Sequence, residues 1–372
     1  MMYLLRVFLI AGAVIGCGSN PPSLSDAGSG GSDGGIDAGS DAGSDAGHDY
    51  DVPFTVGTST LAGGPDAGSV DGPRKHAQFA NPVNVAYRDG RLYVADFDNG
   101  KIRVIDLATY ETSTLIAQVN FQRPFGLAFA PDGTLYVSTD NDENGQHSSM
   151  TGAIWRIPSG AHSATLIVSG IGRPRGIAVL QDGRLVASDY MHQVVEIIDP
   201  ATGAVSALAG LWDSPGLADA TAADARFTNP YGLAVRADGA IVVADYGNDR
   251  VRVVALDGAT TTLAGSTQGF GDGEASAALF HHPEAIAIST NGDIFIADSD
   301  NFRVRRLAGT AVTTIAGDGN PGYRDDDDPL HSRLYGLEGL AVVPDGAMLY
   351  VADGSRGEDL PFHRIRQIAK HW

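Results

Sequence analysis

The fold is decided by residues 230–253, which read PYGLAVRADGAIVVADYGNDRVRV. A Pro-x-Gly corner opens an apolar run, an Asp-Gly pair follows, a second run ends in Val-Ala-Asp, and Arg-Val-Arg-Val comes last. Glycine accepts the positive φ that a tight hairpin demands, so Asp238-Gly239 marks a turn. Runs rich in Val, Ile and Leu on either side of such a turn are typical of strands. The stretch therefore predicts three successive antiparallel strands.

The same unit occurs six times. Its turns are Asp89-Gly90, Asp132-Gly133, Asp182-Gly183, Asp238-Gly239, Asn291-Gly292 and Asp345-Gly346. From Asp96 to Asp353, which end the second runs of the first and last copies, there are five intervals of about 51 residues each. That spacing is too long for solenoid coils and fits the four-stranded blades of a β-propeller.

A fourth strand completes the unit, as in Thr262-Leu263-Ala264-Gly265 and Thr314-Ile315-Ala316-Gly317. The same phrase, Thr60-Leu61-Ala62-Gly63, precedes the first copy, whereas the last copy has no fourth strand after residue 368. We therefore predict that this early strand closes the ring as the outer strand of the last blade, which removes free sheet edges.

The repeated pattern resembles NHL repeats over about residues 55–372. The resemblance implies an all-β fold in which residues 52–372 form a six-bladed NHL-type β-propeller. Propellers host many unrelated functions, so the resemblance alone does not choose one.

Composition excludes several classes of protein. The chain has 372 residues, with 45 acidic against 25 basic side chains and a net charge of -20. This charge repels phosphate backbones, so we expect no nucleic-acid partner. Its single cysteine can form neither an intramolecular disulfide nor a thiolate zinc site. Stability must come from a hydrophobic core.

The amino end is predicted to be a targeting segment. Residues 1–16 are mostly apolar and too short for a permanent membrane span. Val14-Ile15-Gly16-Cys17 resembles the lipobox of a bacterial lipoprotein signal peptide. The resemblance implies cleavage before Cys17, lipidation of its sulfur and anchoring in the cell envelope. Because Gly18 rather than Asp follows, the usual sorting rule indicates the outer membrane. The alternative is an ordinary secretory signal with an incidental cysteine.

Residues 17–51 are predicted to be a disordered tether. The segment is rich in Asp, Ala, Gly and Ser, and Asp-Ala-Gly recurs from Asp26 to Asp45. Such a composition cannot bury enough apolar surface to offset its conformational entropy. Calcium binding by the repeated aspartates is a weaker alternative than a plain acidic spacer.

Long loops predict the functional face of the propeller. The connections 64–80, 211–228, 266–282 and 318–335 are long, and they open on the same face as the loops between second and third strands. Binding residues usually lie on long loops held by a rigid scaffold. The candidate binding residues on this face are Trp212, Tyr246, Phe270, His281, His282 and Tyr323. The alternative is that these side chains only pack the loops.

Two sets of aspartates recur and are therefore assigned to architecture. One lies eight positions before the residue that opens the next blade: Asp71, Asp219, Asp272 and Asp326. The other ends second strands, as at Asp245, and is expected to accept backbone hydrogen bonds in the following turn.

Two groups of residues are candidate metal ligands. Asp140, Asp142 and Asn144 alternate before Gly145 as in the opening of a calcium loop, but Thr151 stands where a closing Glu would be. Calcium is therefore the candidate ion, and a solvated polar loop is the alternative. His281 and His282 are expected to point to opposite sides of an extended chain, which disfavours a shared metal.

The predicted function is a lipid-anchored binding module outside the cytoplasm. Its long-loop face would take a protein, peptide or glycan, and the propeller itself is expected to be monomeric. The alternative is a metal-dependent propeller enzyme, a lyase or a lactonase. No Ser or Lys falls in a nucleophile motif, and the sequence shows no catalytic constellation.

Overall fold

The computed structural model describes residues 55–358 and 360–369, all within the unit that spans residues 50–372. Cys17, the predicted signal peptide and the predicted tether lie outside the described residues. Among the residues described, no helix has the length and apolar character needed to cross a membrane.

The described chain is built almost entirely of strands. In chain order they are β1 (Gly57–Gly64), β2 (Gly72–Pro73), β3 (Pro82–Arg88), β4 (Arg91–Asp96), β5 (Lys101–Asp106), β6 (Glu111–Ala117), β7 (Pro124–Phe129), β8 (Leu135–Thr139), β9 (Ala153–Ile157), β10 (Thr165–Ser169), β11 (Pro174–Val179), β12 (Leu185–Asp189), β13 (Val194–Ile198), β14 (Val205–Gly210), β15 (Pro230–Val235), β16 (Ile241–Asp245), β17 (Arg250–Val254), β18 (Thr260–Ala264), β19 (Gly273–Glu274), β20 (Pro283–Ile288), β21 (Ile294–Asp298), β22 (Arg303–Ala308), β23 (Ala311–Ala316), β24 (Leu337–Val342), β25 (Met348–Asp353) and β26 (His363–Ala369). The short 3₁₀ helices are Ala222–Asp224, Tyr246–Asn248, Ser299–Asn301 and Pro329–His331.

These strands form six antiparallel sheets, and the six-bladed β-propeller is confirmed. Blades 1 to 5 begin with β3, β7, β11, β15 and β20, and each takes its next three strands in order. The two-residue strands β2 and β19 extend blades 1 and 5. Blade 6 consists of β24, β25, β26 and β1. Strand β1 pairs antiparallel with β26 from Gly57↔Ala369 to Gly64↔His363, so the strand preceding blade 1 is the outer strand of blade 6.

The first strands of the blades surround a central channel. Each contacts the first strand of the next blade, in the order β3, β7, β11, β15, β20 and β24 and back to β3. Glycine in the corner permits this close approach: a Cβ on Gly176 would lie 2.6 Å from the carbonyl oxygen of Tyr231 in the neighbouring blade. The apolar core fills the spaces between adjacent blades, as where Ile102 and Ile116 of blade 1 pack with Trp155 of blade 2.

A buried ion pair recurs in blades 1, 4, 5 and 6. In blade 4, Arg252 on β17 donates to Asp245 at 2.6 Å and to Asp219 of the preceding long loop at 2.6 Å. Asp245 also accepts from the backbone N–H of Thr228, two residues before the next corner. The equivalent arginines and aspartates in blades 1, 5 and 6 are Arg103 with Asp96 and Asp71, Arg305 with Asp298 and Asp272, and Arg366 with Asp353 and Asp325.

These contacts correct two expectations. The strand-ending aspartates accept backbone N–H groups mainly from the connection that precedes their blade, so they fix where each corner sits. Asp189 also accepts from the backbone of Met191 and His192 in the turn that follows, as expected. In the last long loop the paired residue is Asp325, which lies nine rather than eight positions before Leu334. Asp326 instead pairs through its backbone with Thr58 of β1.

Blades 2 and 3 replace the ion pair. In blade 2, Trp155 occupies the arginine position and donates its indole N–H to Thr139 at 3.0 Å. In blade 3, Glu196 occupies it, and burial, with Asp189 nearby, raises the pKa of Glu196 to about 8. Asp189 is held by His192 at 2.6 Å instead of by an arginine. The ion pair is therefore one of several solutions to the same packing position.

The ion pair predicts a specific pattern of mutant stability. Arg252→Trp alone leaves the buried Asp245 without its cation, and Asp245→Thr alone leaves the buried Arg252 with only the half-exposed Asp219. Removing one partner of a buried ion pair costs about 3–5 kcal/mol. The double variant recreates the blade 2 pair, because Arg252 lies over Phe227 much as Trp155 lies against Phe121. We expect it to lose clearly less free energy of unfolding than the two single losses added together.

Urea unfolding at pH 7.5 measures this, since burial raises the pKa of Asp245 only to about 6 and the carboxylate is then charged. An additive or more severe loss in the double variant would contradict the assigned role of the pair.

Candidate functional site

The residue in the middle of each corner differs from blade to blade. At this position stand Val83, Phe125, Arg175, Tyr231, Glu284 and Glu338. Strand pairing is interrupted here, for example between Pro230 and Leu233, which frees the middle residue from the sheet register. The central channel is lined by residues of all six first strands, among them Phe125, Arg175, Tyr231 and Glu338. The repeat thus places six side chains of five types around one opening.

A second layer comes from the loops between second and third strands. These loops carry Asp140, Tyr190, Tyr246, Asp300 and Arg356. Their side chains contact the corner residues or interact with them electrostatically. Arg173, which directly precedes the corner of blade 3, joins this layer through Asp140. We call the corner residues, the second layer and Arg173 the channel mouth.

Blades 2 and 3 form a basic side of the channel mouth. Asp140 is fully buried between Arg173, at 2.7 Å, and Arg175, at 3.2 Å. Burial would by itself raise the pKa of Asp140, but the guanidiniums of Arg175 and Arg173 outweigh it and lower the pKa. Two guanidiniums therefore share one carboxylate here.

Blades 5 and 6 form an acidic side. Arg356 donates to Glu284 at 3.1 Å and to Asp300 at 2.8 Å. Burial raises the pKa of Glu284 to about 8 and that of Glu338 to about 7, although Arg356 opposes both shifts. Three carboxyl groups therefore share one guanidinium.

Aromatic rings occupy the space between the two sides. Tyr231 lies 5.7 Å from Phe125 and 5.3 Å from Tyr190, both edge to face. Arg175 lies over the Phe125 ring at 4.0 Å. Tyr246 stacks on His282 at 4.2 Å and on Tyr231 at 5.7 Å.

Several polar atoms at the channel mouth are buried without a hydrogen-bond partner among the described residues. They are Arg173 Nε, Arg175 Nε and Nη1, Asp140 Oδ1, Glu284 Oε2 and Glu338 Oε2. Leaving a buried polar group unpaired costs about 1–3 kcal/mol, and more for charged groups. Six of the thirteen such atoms among the described residues lie at the channel mouth, and the other seven are spread over blades 1, 2, 4 and 6 and their loops. This group of unpaired atoms makes the channel mouth the candidate site for a polar ligand.

His281 and His282 come together, against the expectation that they point apart. Their ring centroids are 4.7 Å from each other. Asp300 lies 2.6 Å from His282 Nδ1 and 3.7 Å from His281 Nε2. The expectation was wrong because His282 has a left-handed backbone (φ 53°), so the chain is not extended there. The three side chains offer one ligand atom each to a metal ion.

The calcium-loop residues have separate partners. Asp140 pairs with arginines, whereas Asp142 Oδ1 accepts from the backbone N–H groups of Asn144 and Gln146. A carboxylate neutralised by two arginines is a poor calcium ligand. Calcium binding by Asp140, Asp142 and Asn144 stays a prediction.

The other predicted binding residues lie in separate contacts. Trp212 is 42% exposed and stacks on His192 at 4.0 Å. Phe270 is 46% exposed and lies over Arg303, and Tyr323 lies over Arg364. Of the six, only Tyr246, His281 and His282 are brought together by these contacts.

Sequence reasoning missed the importance of the corner residues, although a signal was present. Pro and Gly recur at the flanking positions, while the residue between them changes from apolar to aromatic to charged. A position that varies inside an otherwise regular repeat is free of the architectural role that its neighbours perform. Comparing the six copies at that position would have selected Arg175, Glu284 and Glu338.

The raised pKa of Glu284 predicts a pH-dependent stability. The folded protein keeps the Glu284 proton up to about pH 8, whereas the unfolded chain loses it near its ordinary value of about 4.3. Ionisation thus favours unfolding as the pH rises through this window. We expect E284Q, which cannot ionise, to gain free energy of unfolding relative to the parent as the pH rises from about 5 to about 8.

Urea unfolding at several pH values gives the difference between parent and variant. The matched control is Glu274→Gln, at an exposed position on β19, for which the difference should stay constant. A constant difference for E284Q as well would show that Glu284 is not held in its neutral form.

Relatives were found among curated proteins. NHL repeat-containing protein 2 of Bos taurus is 27% identical over 310 residues, which cover 78% of this chain and 40% of the relative. The chloroplastic protein SUPPRESSOR OF QUENCHING 1 of Arabidopsis thaliana is 26% identical over 280 residues, covering 65% of this chain and 26% of the relative. This chain thus spans less than half the length of these relatives.

Solved structures share the fold. An auxiliary nutrient binding protein from Bacteroides thetaiotaomicron has a TM-score of 0.67 at 17% identity, over 83% of this chain and 75% of that one. One from Bacteroides ovatus has a TM-score of 0.65 at 20% identity, over 84% and 76%. A streptogramin B lyase has a TM-score of 0.51 at 13% identity, over 78% and 94%. At these identities the likeness shows the fold alone.

Two family models match the chain. The SMP-30/Gluconolactonase/LRE-like region matches residues 48–265, and the NHL repeat matches residues 280–307. Because the first match covers more than half of the chain, this six-bladed propeller belongs to the SMP-30/gluconolactonase/LRE-like family, and it carries the NHL repeat.

Proposed function

We propose that this protein is a binding module that takes a small polar ligand, or the polar end of a peptide or glycan, at the channel mouth. The observation that carries the proposal is the group of buried, unpartnered polar atoms there on Arg175, Glu284 and Glu338. A ligand that pairs these atoms regains hydrogen bonds at sites that are already dehydrated and fixed in place. The aromatic rings of Phe125, Tyr231 and Tyr246 supply rigid contact area beside them.

The names of structural neighbours are consistent with a binding role. Two of them are described as auxiliary nutrient binding proteins, with TM-scores of 0.67 and 0.65. Those names belong to proteins at most 20% identical to this one, so the argument for binding depends on the channel mouth itself.

The module would act outside the cytoplasm, anchored through a lipid on Cys17. The lipobox resemblance and the acidic segment 17–51 support this part of the proposal. In the full chain expressed in a bacterium, acyl modification at Cys17 should be detected by mass spectrometry and be lost in Cys17→Ser. An unmodified Cys17, or a mature chain that begins elsewhere, would contradict lipid anchoring.

A metal-dependent hydrolase or lyase is the second candidate. His281, His282 and Asp300 would hold a divalent ion, although Arg356 competes for Asp300. A bound ion would polarise a substrate carbonyl. Glu284 and Glu338, with pKa values near neutrality, are suited to proton transfer next to such a site.

One set of thermal melts separates the binding module from the metal-dependent enzyme, because a ligand that binds only the folded state raises the melting midpoint. Residues 52–372 are treated with EDTA and melted with amino acids, dipeptides or oligosaccharides, and separately with zinc, manganese or calcium. We expect a saturable rise with at least one organic class. Tyr246→Ala at the channel mouth should abolish it, whereas Phe270→Ala, a half-exposed aromatic on another loop of the same face, should keep it.

The other outcomes are equally specific. An organic ligand whose effect survives Tyr246→Ala would place binding elsewhere and contradict the proposal. A zinc or manganese rise lost in His282→Ala would favour the enzyme, and lactonase and lyase assays would follow. A calcium rise lost in Asp142→Ala would assign the calcium loop.

A further inference from the structure

We propose that the channel mouth selects a small zwitterion, a molecule that carries both a carboxylate and an ammonium group. Its carboxylate would lie against Arg173 and Arg175, and its ammonium group against Glu284 and Glu338. The inference rests on the proposed function and narrows the ligand to one chemical class.

The ring geometry sets the two charged sides opposite each other. The first strands follow one another as β3, β7, β11, β15, β20 and β24 around the channel. In a ring of six, blades 2 and 3 face blades 5 and 6. Arg175 and Glu338 lie in blades 3 and 6, which are directly opposite, and each influences the ionisation of the other.

The basic side has positive charge to spare. Arg173 and Arg175 share the single carboxylate of Asp140, and each uses its Nη2 for that contact. Arg175 is only 8% exposed, yet its Nε and Nη1 have no hydrogen-bond partner among the described residues and it lines the channel. The free Nη1 of this guanidinium can donate a charge-assisted hydrogen bond to a ligand carboxylate while Nη2 stays on Asp140.

The acidic side has acceptor oxygens to spare. Glu284, Glu338 and Asp300 share Arg356, and His282 pairs with Asp300. Glu284 is 3% exposed, and its Oε2 and the Oε2 of Glu338 have no partner among the described residues. An ammonium group has three donors and no acceptor, so it can serve both oxygens.

Simpler ligands satisfy only half of this arrangement. An anion would meet Arg175 but also the carboxyl groups across the channel, and a cation would meet the opposite conflict. A neutral sugar would leave the excess positive charge of Arg173 and Arg175 without a counter-ion, and it would offer Glu284 and Glu338 no cation to stabilise their ionised forms. A zwitterion pairs both sides at once, and the rings of Phe125 and Tyr231 between them suit its hydrocarbon part.

The test uses probes of increasing charge separation. Isothermal titration of residues 52–372 is carried out with glycine, β-alanine, 4-aminobutyrate, 5-aminovalerate and 6-aminohexanoate, and with Gly-Gly. The controls are hexanoate, hexylamine and N-acetylated or amidated Gly-Gly, which lack one or both charges. We expect the zwitterions to bind with an affinity that peaks at one chain length, and the controls to bind at least about ten-fold more weakly.

Two variants assign the ends of the ligand. Glu338→Gln removes the charge of a half-buried side chain with almost no change in shape, and it should weaken the best zwitterion about ten-fold or more. Arg175→Lys keeps one positive charge but cannot donate to Asp140 and to the ligand from two separate guanidinium nitrogens, and it should weaken binding in the same direction. Glu274→Gln, on the outer edge of blade 5, is the matched control and should bind like the parent. The circular dichroism spectrum confirms that each variant is folded.

The possible results separate this inference from the proposed function. Failure of every zwitterion, or equal binding of hexanoate or hexylamine, would overturn the inference. If an oligosaccharide bound instead and Tyr246→Ala abolished its binding, the channel mouth would remain a binding site and only the ligand class would be wrong. Zwitterion binding unchanged in Glu338→Gln and Arg175→Lys would overturn the assignment to these residues.

Discussion

The buried aspartate that ends the second strand of a blade is the contact on which the rest of the structure depends. Asp245 accepts from the backbone of Thr228 and from Arg252, and Arg252 in turn holds Asp219 of the long loop. One carboxylate thus joins the blade, the connection that enters it and the loop above it. Because the connection is held two residues before the corner, the corner residue is delivered to the channel in a fixed position.

A rigid corner allows its middle residue to vary. A proline precedes the middle residue in five blades and a glycine follows it in four, and Val83, Arg175 and Glu284 occupy the same place with unrelated chemistry. The site is therefore asymmetric although the scaffold repeats. Its polar groups are incompletely paired on both sides, at Arg173 and Arg175 and at Glu284 and Glu338. Unpaired buried groups lower the stability of the folded protein unless a ligand pairs them.

The sequence was sufficient for the fold because the repeat period, the Asp-Gly turns and the strand-ending aspartates are local signals. The sequence was insufficient for the site because the side chains that meet there come from positions far apart in the chain. His281 and His282 meet only through the left-handed backbone of His282, which the sequence does not display. Asp140 looked like a calcium ligand in its own loop, but its partners Arg173 and Arg175 come from the next blade. The changing corner residue was the one site signal within reach of sequence comparison.

The central claim is that the unpaired polar atoms at the channel mouth bind a ligand. A crystal structure of residues 52–372 at better than about 1.5 Å, with the tightest-binding probe soaked in, tests this most directly. The account predicts an ordered molecule that bridges Arg175 and Glu338, with both side chains in place. Side chains of Arg175 and Glu284 that turn away to pair within the protein, with only bulk solvent between the two sides, would contradict it.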